Sequence, residues 1–381
     1  EIVAPEDPGL GNGTVLVEPA HWAIPTAGRD ISIGRAFLFG EGYTHASIGW
    51  GDDGFNVLDP TVPGLILAGS PAVMSPPGSG FPDLILDEEI ILQFAEMLSS
   101  EPVAGASQPF ERMYAFGLSQ TADALLELQR RIVAHGLQNP FDLTLLDVAL
   151  WGPSIRPAGV WEYLDGDFEP VGGVGKVLFF ETENDLIISD AEQFARAADL
   201  PDYRVYEVAG GSHVPTVDNP LDYLPVIRAL LAAGDLWVRH GLEPPASALI
   251  QEAPAGEIDP VYGFETGIAR DGDLNALGGV RLPDLAVGRA QYIASDPTTP
   301  LLPGLPPVFN VLSGNMVDLV CEPRPGSDSA EPRFGNHGSY VSAFTREVNG
   351  LLGQRLVLEA DADIMKERAA QSAIGLPGRC D

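Results

Sequence analysis

The chain is short of positive charge: of its 381 residues only 21 are Lys or Arg, against 54 Asp or Glu, a net charge of −33. Such a surface repels phosphate backbones and anionic headgroups, and it offers no basic stripe to neutralise them. Nucleic acid and anionic membrane surfaces are therefore excluded as expected partners. Long hydrophobic runs are lacking as well. No stretch of about 18 apolar residues occurs, so no membrane span is expected. Lysine is nearly absent, with only Lys176 and Lys366, a bias that GC-rich coding and salt adaptation would each produce.

Cysteine is scarce too. Cys321 and Cys380 have no CxxC spacing and no histidines at ligand spacing, which disfavours zinc. Two readings of the pair stay open. One is a late disulfide tethering the C-terminal tail, as suits a secreted or periplasmic protein; the other is two separate thiols, compatible with the cytoplasm. Export is the expectation carried forward. The chain opens at Glu1, without Met and without a signal-peptide pattern, as a processed or trimmed product would.

What is present is a hydrophobic share of 45%, enough for one large core or two unequal ones. Strand-like runs fall at residues 14–18 (TVLVE), 44–50, 112–116 (RMYAF), 143–150, 177–180 (VLFF) and 204–208 (RVYEV). Helical spacing falls between them, at 31–40, 87–98, 121–134, 191–198 and 221–240. This alternation predicts an α/β fold with a mostly parallel central sheet and helices on both faces. Residues 59–82 form a Pro/Gly-rich loop. After His213 the texture changes, and 241–335 is rich in Pro, Gly and Asp. The organisation predicted is a core over 1–240, an irregular lid or side wall over 241–335, and a C-terminal helical segment over 336–381 that packs on the core.

The chemistry concentrates where strands end. Gly117-Leu118-Ser119-Gln120-Thr121 joins a strand to a helix through a tight turn, the setting that exposes a nucleophilic serine. Gly117 lets the backbone pass close behind the serine, and the Gln120 N–H at the helix start points toward an oxyanion. Thr121 stands where the G-x-S-x-G pattern has its second glycine. A second strand end supplies three candidate acids, Glu181, Glu183 and Asp185. A third leads through Ala209-Gly210-Gly211-Ser212 to His213, small residues that predict a flexible loop presenting the imidazole as base. The loop after TVLVE offers Ala20 or His21 as the second oxyanion amide. Of the other histidines, His135 and His240 fall at helix ends, His45 lies in a strand, and His337 sits in a loop. Asp271-Gly272-Asp273-Leu274-Asn275 has some of a calcium loop's residues but no bidentate Glu at the required distance, so no metal is expected.

Several phrases in this order carry a likeness: Asn12-Gly13-Thr14-Val15-Leu16-Val17-Glu18, the turn at Gly117 to Ala122, Glu181-Thr182-Glu183-Asn184-Asp185, and Tyr206-Glu207-Val208-Ala209-Gly210 before His213. With Gly278-Gly279-Val280-Arg281-Leu282-Pro283-Asp284 and the helical tail, the chain resembles the bacterial "alpha/beta hydrolase domain" proteins, esterase-like enzymes that are often exported. The resemblance implies an α/β-hydrolase fold and a triad of Ser119, His213 and Asp185, with Glu183 the alternative acid and Glu181 third. It also implies that the chain starts at the fold's second strand, with Glu1 to Pro5 as that strand's remnant, and that the first hairpin is absent or trimmed. The expected activity is hydrolysis of a small carboxylic ester with an apolar part, through an acyl-enzyme and without cofactor. A lactonase or acyltransferase with the same triad, or a non-catalytic ligand-binding protein on that fold, are the alternatives.

Overall fold

The computed structural model describes residues 1–21, 25–49, 86–103, 109–149, 170–188, 196, 200–301, 307–321 and 333–377. A seven-stranded, mostly parallel sheet is built from β1 (Ile2–Val3), β2 (Thr14–Pro19), β3 (Thr44–Ile48), β4 (Arg112–Leu118), β5 (Leu143–Asp147), β6 (Lys176–Thr182) and β7 (Tyr203–Val208), in the order β1-β3-β2-β4-β5-β6-β7. β2 pairs in parallel with β3 (Val15↔Thr44) and with β4 (Thr14↔Arg112), and β4 pairs in parallel with β5 (Tyr114↔Leu143). Every residue of β2 and β5 is buried, as near-continuous apolar strands require. The short β1 runs antiparallel along β3, with Ile2 opposite Ala46. The first residues therefore occupy the edge of the sheet beside β3.

The chain divides into two compact units. The first comprises Glu1–Phe179, Ser189–Arg204 and Gly234–Leu242; the second comprises Phe180–Ile188, Val205–Ala233 and Glu243–Asp381. In the first unit a π-helical turn at Gly28–Ser32 leads into α1 (Arg35–Gly40), and the longer helices are α2 (Leu86–Ser100) and α3 (Gln120–Ala134). α3 is buried at every position from Gln120 to Gln129 and again at Ile132, as a helix enclosed on all sides over its first turns is. The helix expected at 191–198 and the loop at 59–82 lie outside the described residues, apart from Arg196, which is helical.

In the second unit α4 (Glu183–Ile188) follows β6 without a break, and α5 (Leu224–His240) begins there. Residues 248–280, expected to be irregular, form a narrow ladder beside β7. Tyr206 bridges Ala248 and Val208 bridges Val280 in parallel; Ile250, Glu252 and Arg270 pair antiparallel with Gly278, Ile268 and Ala276. The backbone groups on this side of β7 are thereby satisfied rather than left open. Frequent Gly and Pro keep each pairing to a single bridge. Further on come α6 (Pro283–Ala286) and a hairpin of β8 (Ala290–Ile293) and β9 (Asn315–Asp318). The helical tail is α7 (His337–Gly353) and α8 (Glu359–Gln371). α7 starts with a capping box between Asn336 and Ser339. Arg228 of α5 grips Asp361 of α8 with Nε at 3.2 Å and Nη2 at 2.6 Å. Cys321 is disulfide-bonded, and Cys380 is the other cysteine of the sequence. Among the described residues no helix is long and apolar enough to cross a membrane.

Candidate active site

Ser119, in the first unit, stands between β4 and α3 with φ 54° and ψ −121°. A non-glycine residue rarely adopts this conformation, which costs about 1–3 kcal/mol and persists only where its surroundings impose it. Those surroundings are visible. A Cβ on Gly117 would lie 2.5 Å from the Thr121 carbonyl oxygen and 2.6 Å from the Ala122 nitrogen, so the strand and helix meet too closely for any side chain there. The Ser119 N–H donates to the Asp147 carbonyl of β5 at 2.8 Å, and its carbonyl accepts from Ala122 and Asp123. Thr121 has its own part in the turn. Its hydroxyl accepts from the Leu118 N–H at 2.8 Å and donates to the Leu118 carbonyl at 3.0 Å, closing the turn from within. Only this local use of the hydroxyl explains a threonine in the pattern's second glycine position, and nothing in the sequence signalled it.

Asp185 and His213, in the second unit, are brought together. His213 Nδ1 lies 2.7 Å from Asp185 Oδ1, with both side chains buried. Asp185 Oδ2 accepts from the Thr182 hydroxyl at 2.6 Å and the Thr182 N–H at 3.1 Å. An ionised carboxylate only accepts, so the proton of this contact belongs to Nδ1 and Nε2 is the nitrogen with a lone pair to offer. The acid does not sit in a loop. It occupies the first turn of α4, where the helix N-terminus favours negative charge.

The loop to His213 is held throughout rather than flexible. Glu183 accepts from the Gly210 N–H at 2.7 Å, and Asn219 Nδ2 donates to the Gly210 carbonyl at 2.9 Å. The Asn184 N–H donates to the Gly211 carbonyl at 3.0 Å. The Tyr223 hydroxyl lies 2.7 Å from the His213 carbonyl and 3.0 Å from that of Ser212. Gly210 has φ +75°, and a Cβ there would lie 2.6 Å from Leu285 and 2.8 Å from Tyr292. Its missing side chain serves close packing, not mobility.

Glu183 is not the partner of the imidazole: its other oxygen pairs with Arg270, which also holds Asp259, with Nη2 at 2.6 Å and Nε at 3.0 Å. Full burial pushes the Glu183 carboxyl up from its ordinary value, while the Arg270 charge and the Gly210 N–H pull it back. The guanidinium is held charged by its two carboxylates. Glu181 is buried within β6.

Of the candidate oxyanion amides, Gln120 opens α3, so its N–H has no intrahelical acceptor. The Ala20 N–H is committed to the Ile48 carbonyl at 2.8 Å, and His21, the next residue, is buried. His45 is paired with Glu18 at 2.6 Å inside the sheet, and both ring nitrogens of His337 face carbonyl oxygens of the tail. The Asp271 and Asp273 carboxylates are taken by Arg281 and Arg333, so this loop is tied by ion pairs.

A family model described as "Alpha/beta hydrolase domain" matches residues 2–367. A solved structure titled "Structure of arylesterase" is similar at 11% identity with a TM-score of 0.36, over 60% of this chain and 76% of that one. No curated protein matches the chain.

Proposed function

Given that the chain belongs to the alpha/beta hydrolase domain family, we propose that it hydrolyses carboxylic esters with Ser119 as nucleophile, His213 as base and Asp185 behind the histidine. The observation that carries this reading is the backbone of Ser119, a non-glycine residue at φ 54° between a strand and a helix. Strain of this kind is kept where function needs it. The 2.7 Å contact of Asp185 with His213 Nδ1 adds support, since it fixes the tautomer a general base requires.

In this reading His213 Nε2 takes the Ser119 proton as Oγ attacks the ester carbonyl, and the N–H groups of Gln120 and His21 hold the oxyanion. The imidazolium returns its proton to the departing alcohol. Water, deprotonated by the same imidazole, then releases the acid and restores the serine. Asp185 keeps the ring oriented and stabilises its cation. The substrate is a small ester with an apolar part, and no cofactor takes part. The disulfide at Cys321 supports an exported location, secreted or periplasmic.

The test is labelling with a fluorophosphonate probe, with the adduct located by mass spectrometry, beside turnover of p-nitrophenyl esters. The adduct is expected on Ser119, and Ser119→Ala is expected to lose turnover on the order of 10³-fold or more while melting nearly unchanged. Absence of labelling, or full turnover by the variant, would refute the reading. Products formed with added alcohols separate hydrolase from acyltransferase.

A further inference from the structure

Glu183 stands two residues before Asp185 on α4 and is fully buried, yet its carboxylate spends nothing on the imidazole. One oxygen accepts the Gly210 N–H at 2.7 Å, and the other pairs with Arg270. Burying a carboxylate is costly unless it is paired and hydrogen-bonded. Here the pairing is itself anchored: Arg270 is braced by Asp259, Asp259 accepts from the Thr266 hydroxyl at 2.6 Å, and the guanidinium lies 5.4 Å from the centre of the Tyr262 ring. The tether joins two short segments, the start of α4 that carries Asp185 and the loop that carries His213. Their relative position decides the 2.7 Å contact between acid and imidazole.

We infer that Glu183 is a positioning residue, a buried strut braced by Arg270 that fixes the Asp185–His213 distance through the Gly210 N–H. This deepens the ester-hydrolase reading and rests on it for its kinetic consequence, though not for its geometric one. The charged and titratable groups about the strut are Asp185, His213, Arg270, Asp259 and Tyr262.

The decisive comparison is between two double variants of the full chain. Glu183→Gln with Arg270→Met removes the two charges of the pair and keeps a neutral acceptor for the Gly210 N–H; Glu183→Met with Arg270→Met removes those charges and the acceptor, and Asp259 loses its guanidinium equally in both. The first is expected within about threefold of wild-type kcat per probe-labelled site. The second is expected to lose about tenfold or more in kcat with KM little changed. Its acid limb of kcat/KM should move to lower pH, because an imidazolium held less well by its carboxylate gives up its proton more readily. The low-field proton NMR signal of the His213–Asp185 bond should persist in the first and shift or vanish in the second. A merely structural strut would lower the melting temperature of both and leave these readouts equal. Equal kcat and equal low-field signals in the two variants therefore overturn the inference. If wild type shows the signal pattern but no ester turnover, the hydrolase reading fails and the strut stands. If the Met/Met variant does not fold, the wild-type chain carries the test: the Gly210 amide and the low-field proton should lose protection together as urea rises. Separate loss overturns the inference.

Discussion

The serine turn and the imidazole loop each hold one side chain in a fixed direction, by opposite means. The turn is self-contained. Gly117, Leu118, Ser119 and Thr121 build it within five residues, storing strain at φ 54° and closing it with the Thr121 hydroxyl. The imidazole loop stores little strain of its own and borrows its rigidity. Its partners lie 28 residues away for Asp185, 27 for Glu183 and 9 for Asn219, and Glu183 in turn depends on Arg270 across 87. The first arrangement fails through local backbone changes and the second through the loss of a distant partner.

Variants can break or sharpen this contrast. The largest effect is expected for Asp185→Asn, which leaves the imidazole in the wrong tautomer and should cut ester turnover by about 10⁴-fold; a loss below tenfold would mean that the loop orients His213 without its carboxylate. Next comes Arg270→Met, which takes the guanidinium from two buried carboxylates, Glu183 and Asp259, and should cost about 3–5 kcal/mol in urea unfolding. That cost has a pH signature. Glu183 is already raised with Arg270 in place and rises further without it; a raised carboxyl gives stability at low pH that is lost as pH rises, so the deficit should begin to grow at the wild-type Glu183 value, above about pH 4.3, and level off above the variant's. A deficit independent of pH would show that Glu183 is neutral throughout.

Gly117→Ala should cost about 1–3 kcal/mol by overpacking against the Thr121 carbonyl, and labelling of Ser119 should fall with it; a neutral result would show that the turn can relax. Ser119→Gly is expected to go the other way. Relief of strain outweighs the added chain entropy, for a net gain of about 1 kcal/mol in thermal unfolding. No gain would remove the claim that the turn stores strain. The smallest effect lies away from both regions, at Asp30, whose carboxyl is held well below the usual range by Arg29 and Arg35. Its contribution is present above the ordinary aspartate value and lost as pH falls toward the folded one. Asp30→Asn should cost about 0.5 kcal/mol at pH 7 after solvent screening, and nothing in strong acid.

The contrast also separates what could be read from the chain. The strand runs at 14–18, 112–116 and 177–180 appear as β2, β4 and β6, each extended by one to three residues, because burial on both faces leaves an apolar run that periodicity detects. Ser119 was legible for the same reason that its turn is local. The choice among Glu181, Glu183 and Asp185 was not legible from their spacing, since three acids fall within five residues and only folding leaves Glu181 in β6 and gives Glu183 and Asp185 different partners in the first turn of α4. The loop's glycines suggested flexibility, whereas Gly210 is small because Leu285 and Tyr292 crowd it. Residues 248–280 read as irregular because each pairs through single bridges that leave no alternating pattern.

By itself, then, the sequence determined the alternation of strands and helices and the strand–serine–helix turn, both consequences of burial patterns and sterics acting over a few neighbouring residues. Only the tertiary structure decided that Asp185 meets His213, that Glu183 is braced by Arg270 instead, and that the Ala20 amide is spent on Ile48. Each of those outcomes depends on hydrogen bonds and packing between segments far apart in the chain, and such contacts exist only after the chain has folded.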